Sequence, residues 1–159
     1  MNHQCSRRRL VIGVGNDYRS DDGVGLVVAR QLAKQELEDT RVMPLSGEGS
    51  ELLEAWRDAD TVILVDAVRS GGEPGSISRY TAKEICTGRG LPAVSSHGFG
   101  VAEAVRMGAA LGQLPKQLII FGIEGKSFVA GTELSLEVSA AADMVMEKIL
   151  EELGCTSTP

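Results

Sequence analysis

The sequence predicts a three-layer α/β domain: a mostly parallel sheet of about five strands with helices on both faces. Three observations carry this expectation. Short, continuously apolar runs of Val, Ile and Leu recur along the chain, as strands buried on both faces require. Longer segments with helical periodicity alternate with them, the pattern of an open parallel sheet. Glycines cluster where the runs end, where tight turns and close backbone approaches belong.

The elements follow in order. Residues 10–15 (LVIGVG) form the first strand, and a loop spans 16–23. A helix starts at Gly25 and continues to about Asp39, its apolar residues recurring at helical spacing. Residues 40–45 (TRVMPL) form a second strand that ends at Pro44. Ser50 is placed to cap a short helix through Leu52, Leu53 and Trp56, with the single tryptophan as its half-buried anchor. Residues 61–66 (TVILVD) make the third strand, apolar until its last residue. The turn cluster 71–75 (GGEPG) leads to an edge strand at 76–81, with Ile77 and Tyr80 as its less polar positions. The stretch 82–92 holds a short helical turn and leads into 95–100 (SSHGFG). A helix covers 101–111, a buried strand 117–122 and a mixed loop 123–132. Ser135 caps the last helix, and Glu137 sits in its first turn, where negative charge is favoured. That helix ends near Leu153, before Gly154. The organisation expected is a flexible flank at 1–9, one domain at 10–154 and a flexible tail at 155–159.

Bulk properties narrow the function. A chain of 159 residues suits a single core. The formal charge is −6 and the only basic run is Arg7, Arg8 and Arg9, so nucleic acid is not the expected partner. No apolar run approaches the roughly 20 residues that span a bilayer, and the polar start does not resemble a signal peptide. Membrane insertion is therefore not expected. Cys5, Cys86 and Cys155 are odd in number and form no C-x-x-C pair, which fits free thiols in a reducing cytoplasm.

The glycine-rich start is not a dinucleotide fingerprint. In G-x-G-x-x-G terms the third glycine position is Tyr18, and a pyrophosphate would face Asp17, Asp21 and Asp22. No P-loop and no G-x-S-x-G elbow occur. Asp21 and Asp22 precede a helix. One suffices as a cap, which leaves the other for a site. Asp66 closes an apolar strand, where a carboxylate is penalised unless it is paired or at an open rim. His97 is the only histidine outside the N-terminal flank. Two carboxylates and one imidazole, brought to the carboxyl edge of one sheet, suit Ni²⁺, Zn²⁺ or Co²⁺ with coordination positions left open. A Cys86–His97 pair and a two-aspartate acid protease are weaker alternatives, and His97 beside the carboxylates favours a metal over the latter.

With these residues in place, the sequence resembles the nickel–iron hydrogenase maturation endopeptidases. The matching blocks are Gly13-Val-Gly15-Asn16, Asp21-Asp22-Gly23-Val24-Gly25, Val65-Asp66-Ala67 and Ser96-His97-Gly98, in the same order and at similar separations. The likeness extends from about Leu10 to Leu153. It implies a twisted five-stranded sheet and removal of a C-terminal peptide from a hydrogenase large-subunit precursor after nickel insertion. It also implies metal contact through Asp22, Asp66 and His97, as catalytic and metal residues together. The nickel would come with the substrate, and zinc or cadmium could occupy the same position. One block departs from the family pattern. Where many members have Asp-Gly-Gly-Thr after the second strand, this chain reads PLSGEGSE, which puts Pro44 at the aspartate position and leaves Glu48 as a displaced carboxylate. That departure keeps a second reading open, a non-cleaving nickel-sensing or hydrogenase-binding accessory protein. A small-molecule metallohydrolase is a third, and it predicts a narrow pocket where the family pattern predicts an exposed groove. A monomer is expected.

Overall fold

Alternation along the strands sorts the apolar residues onto two faces of one sheet. The computed structural model describes residues 8–88 and 100–155. Its strands are β1 (Arg9–Val14), β2 (Thr40–Leu45), β3 (Thr61–Val68), β4 (Ile77–Thr81) and β5 (Gln117–Glu124). Its helices are α1 (Val24–Ala33), α2 (Gly49–Ala55), α3 (Ala82–Cys86), α4 (Val101–Leu111) and α5 (Leu136–Glu152), with a 3₁₀ turn at Ser20–Gly23. Val11, Ile63, Val65, Ile119 and Phe121 pack against α1 and α5. Leu10, Ile12, Leu64 and Ile120, their neighbours in sequence, pack against α2, α3 and α4. The result is the expected three layers with a five-stranded sheet between the helices.

The strand order is β2-β1-β3-β5-β4. All pairs are parallel except β4 with β5. Both edges carry the more polar strands. β4 has no fully buried residue, and β2 tolerates Pro44 because a proline cannot donate to a second neighbour and an edge strand has none.

Several elements differ in detail from their sequence patterns. α1 ends at Ala33 rather than near Asp39. After Leu32 the apolar spacing lapses apart from Leu37, and Glu36 and Asp39 turn the chain with positive φ of 48° and 52°. β3 and β5 each run two residues further, pairing Ala67 with Ile123 and Val68 with Glu124. The cap of α2 is Glu48, not Ser50: its carboxylate accepts the amides of Ser50 and Glu51 at 3.2 and 3.3 Å. Ser50 lies inside the helix, and its hydroxyl donates back to Glu48. Trp56 is fully buried rather than half-buried, with Nε1 donating to the Gln113 carbonyl at 3.2 Å. Gly154, with φ of 72°, ends α5, and the Cys155 amide closes back on Leu150 O. Arg9 opens β1, and its guanidinium donates to Leu153 O at 2.6 Å. Among the described residues Cys86 and Cys155 are free thiols, and no helix is long and apolar enough to cross a membrane. Cys5, Arg7, Ser95, Ser96 and His97 lie outside the described residues.

Candidate active site

The strand order locates a crevice that no single motif could reveal. The chain leaves β1 through α1 to β2 on one side, and later enters β3 on the other side of β1. The connections therefore diverge between β1 and β3, and ligands in open α/β sheets bind outside the carboxyl ends of strands at such a point. Pairing of β1 with β3 stops at Gly13↔Val65. Asp66 is the next residue of β3, one step past its last β1 partner.

The glycines of the first motif bring α1 onto this seam. A Cβ on Gly13 would lie 2.0 Å from the Gly25 carbonyl oxygen and 2.6 Å from Ala29 Cβ. A Cβ on Gly25 would lie 2.3 Å from Val14 O and 2.5 Å from Val65 O. Only glycine permits either contact, so the start of α1 rests on β1 and β3 where they part. The pattern that imitates a nucleotide fingerprint is a helix–sheet packing device here.

The three aspartates of the loop have three different environments. Asp17 faces out and makes a two-pronged ion pair with Arg30 of α1. Asp21 is wholly buried, and it does not cap α1. Its carboxylate accepts the amides of Lys126, Ser127 and Ser135 and the Ser135 hydroxyl. Burial pushes its pKa up, but those hydrogen bonds outweigh burial and hold it below the ordinary carboxylate value. Asp22, next on the turn, is 3% exposed. Its backbone oxygen accepts the Asn16 amide at 3.2 Å, while Asn16 Oδ1 takes the Tyr18 amide at 2.9 Å.

Asp66 responds to these surroundings. Its pKa is raised well above the usual value near 3.8, first by desolvation and then by the charge of Asp22; the Ala67 amide works in the opposite direction. The structure thus brings Asp22 and Asp66 within electrostatic reach of one another at the switch point. Strand alternation turns Asp66 toward the layer of α2 and α4, the same face as Val62 and Leu64. His97 precedes α4 by four residues in the chain and lies outside the described residues. Among the described residues no three His, Cys, Asp or Glu side chains cluster as a metal site. Two carboxylates that oppose each other's ionisation in a desolvated crevice do match a divalent cation, which would neutralise both.

Beside the crevice lies an open groove of ≈ 440 Å³, lined by Asn16, Tyr18, Leu26, Pro44, Ser46 and Glu51 among others. Tyr18 stands 75% exposed on its rim. Pro44 contributes no carboxylate there. Glu51 does, with Oε2 accepting the Ser46 hydroxyl at 2.7 Å. Glu48 is engaged in capping α2.

Sequence patterns concealed two buried carboxylates. The clamp made by Asp21 depends on a loop more than a hundred residues away, which no local signal announces. Glu124 was discoverable: it closes an apolar strand, once that strand is extended past Gly122. It holds the turn after β3, accepting from the Ser70 amide and hydroxyl and the Gly71 amide, and it is an architectural group.

Fold and crevice together define the class: a doubly wound α/β protein with paired carboxylates at its switch point. Comparison with known proteins supplies the family. A family model described as hydrogenase maturation protease matches residues 26–152. The hydrogenase expression/formation protein HupD of Thiocapsa roseopersicina is 32% identical over 117 residues, 72% of this chain and 53% of that relative. The chain therefore spans about half the length of that protein. The hydrogenase 2 maturation protease of Escherichia coli K12 is 28% identical over 154 residues, covering 92% of this chain and 90% of the relative. Among solved structures, the hydrogenase maturating endopeptidase HybD from E. coli superposes with a TM-score of 0.77 at 26% identity, covering 92% of both chains. This chain belongs to the hydrogenase maturation protease family.

Proposed function

We propose that this protein is the endopeptidase that removes the C-terminal extension from the nickel-loaded large-subunit precursor of a nickel–iron hydrogenase. Asp22, Asp66 and His97 are the residues proposed to meet the nickel that the substrate carries. The observation that carries the reading is the approach of Asp22 and Asp66 at the β1/β3 switch point, close enough for one charge to oppose ionisation of the other. Such a pair is a poor resting site for two negative charges and a good one for a cation delivered by a partner. Family membership supports a protein substrate, and the open groove past Tyr18 and Pro44 suits an extended polypeptide better than an enclosed small molecule.

The substrate's metal would polarise the scissile carbonyl and acidify a bound water. The chain's part is to hold two carboxylates at fixed positions and to offer one of them as general base where it reaches the attacking water. Residues 10–154 act as the working domain, in a cytoplasmic monomer. Zinc or cadmium could stand in for nickel at the same residues.

Mass spectrometry of the nickel-loaded precursor after incubation with the purified protein tests the reading. A shortened C-terminus is expected. A stable complex with the precursor left at full length would instead support the accessory-protein reading, which the Pro44 loop motivates.

A further inference from the structure

We propose that Asp21 is a positioning residue for Asp22: it latches the 3₁₀ turn to the β5–α5 loop and so fixes where the neighbouring carboxylate stands. The kinetic part of this inference rests on the proposed peptidase activity. The latch itself does not.

The carboxylate of Asp21 is completely buried, which is unfavourable unless the charge is well hydrogen-bonded. Oδ2 accepts the Lys126 amide at 2.8 Å, the Ser127 amide at 2.9 Å and the Ser135 hydroxyl at 3.0 Å. Oδ1 accepts the Ser135 amide at 2.7 Å. The backbone repeats the connection. The Asp21 amide donates to Ser127 O at 3.0 Å, the Ser20 amide to Gly131 O at 2.8 Å and the Gly131 amide to Tyr18 O at 3.0 Å. The Ser20 hydroxyl reaches Val129 O at 2.8 Å.

This arrangement displaces an ordinary stabilising feature. Ser135 occupies the N-cap of α5 and makes no side-chain cap bond; its hydroxyl donates to Asp21 instead. An apolar residue could fill the same space without desolvating a charge. What the carboxylate adds is direction, since four donors at fixed places leave it one orientation. Asp22 follows immediately. On its other side its carbonyl oxygen is held by Asn16 and abuts Gly15. The turn that carries Asp22 is thus anchored at both ends, and freeing one end lets the carboxylate drift in the crevice. A displacement of about 1 Å can lower a rate about 100-fold.

The test uses Asp21→Asn, with Glu124→Gln as the control that loosens another buried carboxylate away from the crevice. Asparagine keeps one carbonyl oxygen and turns an amide toward N–H donors, so it cannot satisfy all four. Three quantities are measured: the urea midpoint, hydrogen exchange of residues 16–24 in the isolated protein, and kcat and KM on nickel-loaded precursor. Asp21→Asn is expected to speed exchange in 16–24 and lower kcat about 100-fold with KM within about twofold. Glu124→Gln, at a comparable fall in urea midpoint, keeps kcat within about twofold of the parent. Equal kcat losses in the two variants, or unchanged exchange in 16–24, would overturn the positioning role. Should Asp21→Asn fail to fold, Ser135→Ala decides the matter: a smaller loss of kcat with faster 16–24 exchange is expected, and no change in either refutes the latch. If the parent protein leaves the precursor uncut, the proposed function fails, and the exchange measurement alone judges Asp21.

Discussion

The carbonyl oxygen of Asp22 lies against Gly15: a Cβ added to Gly15 would stand 1.9 Å from it, while the adjacent Asn16 amide donates to that oxygen at 3.2 Å. The first glycine motif and the acidic motif are therefore two sides of one contact. Gly15→Ala must push the 3₁₀ turn away from the end of β1. It is expected to destabilise the fold by about 1–3 kcal/mol, as overpacking does, and to reduce precursor cleavage at least about tenfold under conditions where the protein remains folded. Urea titration and single-turnover cleavage check the two parts. Parent-level cleavage in a folded Gly15→Ala protein would separate this glycine from the site.

A raised carboxyl pKa makes a definite prediction for stability against pH. Folded Asp66 binds its proton more tightly than the unfolded chain does, so between its ordinary value of 3.8 and its raised folded value the native state carries more protons. Stability then falls as pH rises through that window and stays lower above it. Asp66→Asn removes the titration. In chelator-containing buffer it is expected to show a higher urea midpoint than the parent at pH 8, with the difference closing toward pH 4, while precursor cleavage is lost. A gap that does not change with pH would show that Asp66 is not desolvated beside Asp22.

Trp56 tests the layer behind the site. Its ring is buried between the sheet and the α2–α4 layer, and its indole donates to Gln113 O. Trp56→Ala is expected to cost about 3–5 kcal/mol. In Trp56→Phe the lost hydrogen bond accounts for about 1 kcal/mol. Chemical denaturation measures both. Cleavage by the Phe variant should match the parent, because the indole faces Gln113 and not the crevice.

Glu48 separates architecture from chemistry in the loop that departs from the family pattern. Glu48→Gln weakens the cap of α2 and should lower Tm slightly, with the cleavage rate unchanged. A large loss of rate would mean that this exposed carboxylate serves the substrate after all.

The fold was legible because apolar runs and helical periodicity are local properties. The parallel strands β1, β3 and β5 announced themselves as short apolar runs, and β2 and α4 matched their patterns end to end. Asp66 could be singled out from its strand alone, since a carboxylate after four buried apolar residues needs an explanation. Its partnership with Asp22 could not, because strand order decides it, and strand order is set by which crossover packs where. The roles of Asp21 and Glu48 were hidden for different reasons. Asp21 finds its donors across the chain, and Glu48 is an uncommon cap that displaced a conventional serine. Gly13 and Gly15 invite a nucleotide reading that Tyr18 and the acidic loop exclude, but the packing role of Gly13 and Gly25 depends on how closely α1 approaches the β1/β3 seam, which no local pattern shows. His97 lies outside the described residues and rests on the family pattern.

The most direct measurement compares two forms of one substrate. Purified large-subunit precursor, nickel-loaded and nickel-free, is incubated with the parent protein and with Asp22→Asn, and its C-terminus is weighed by mass spectrometry. A shortened chain is expected only for nickel-loaded precursor with the parent protein, and no shortening with Asp22→Asn although that variant remains folded. Equal cleavage of both precursor forms, or undiminished cleavage by Asp22→Asn, would contradict it.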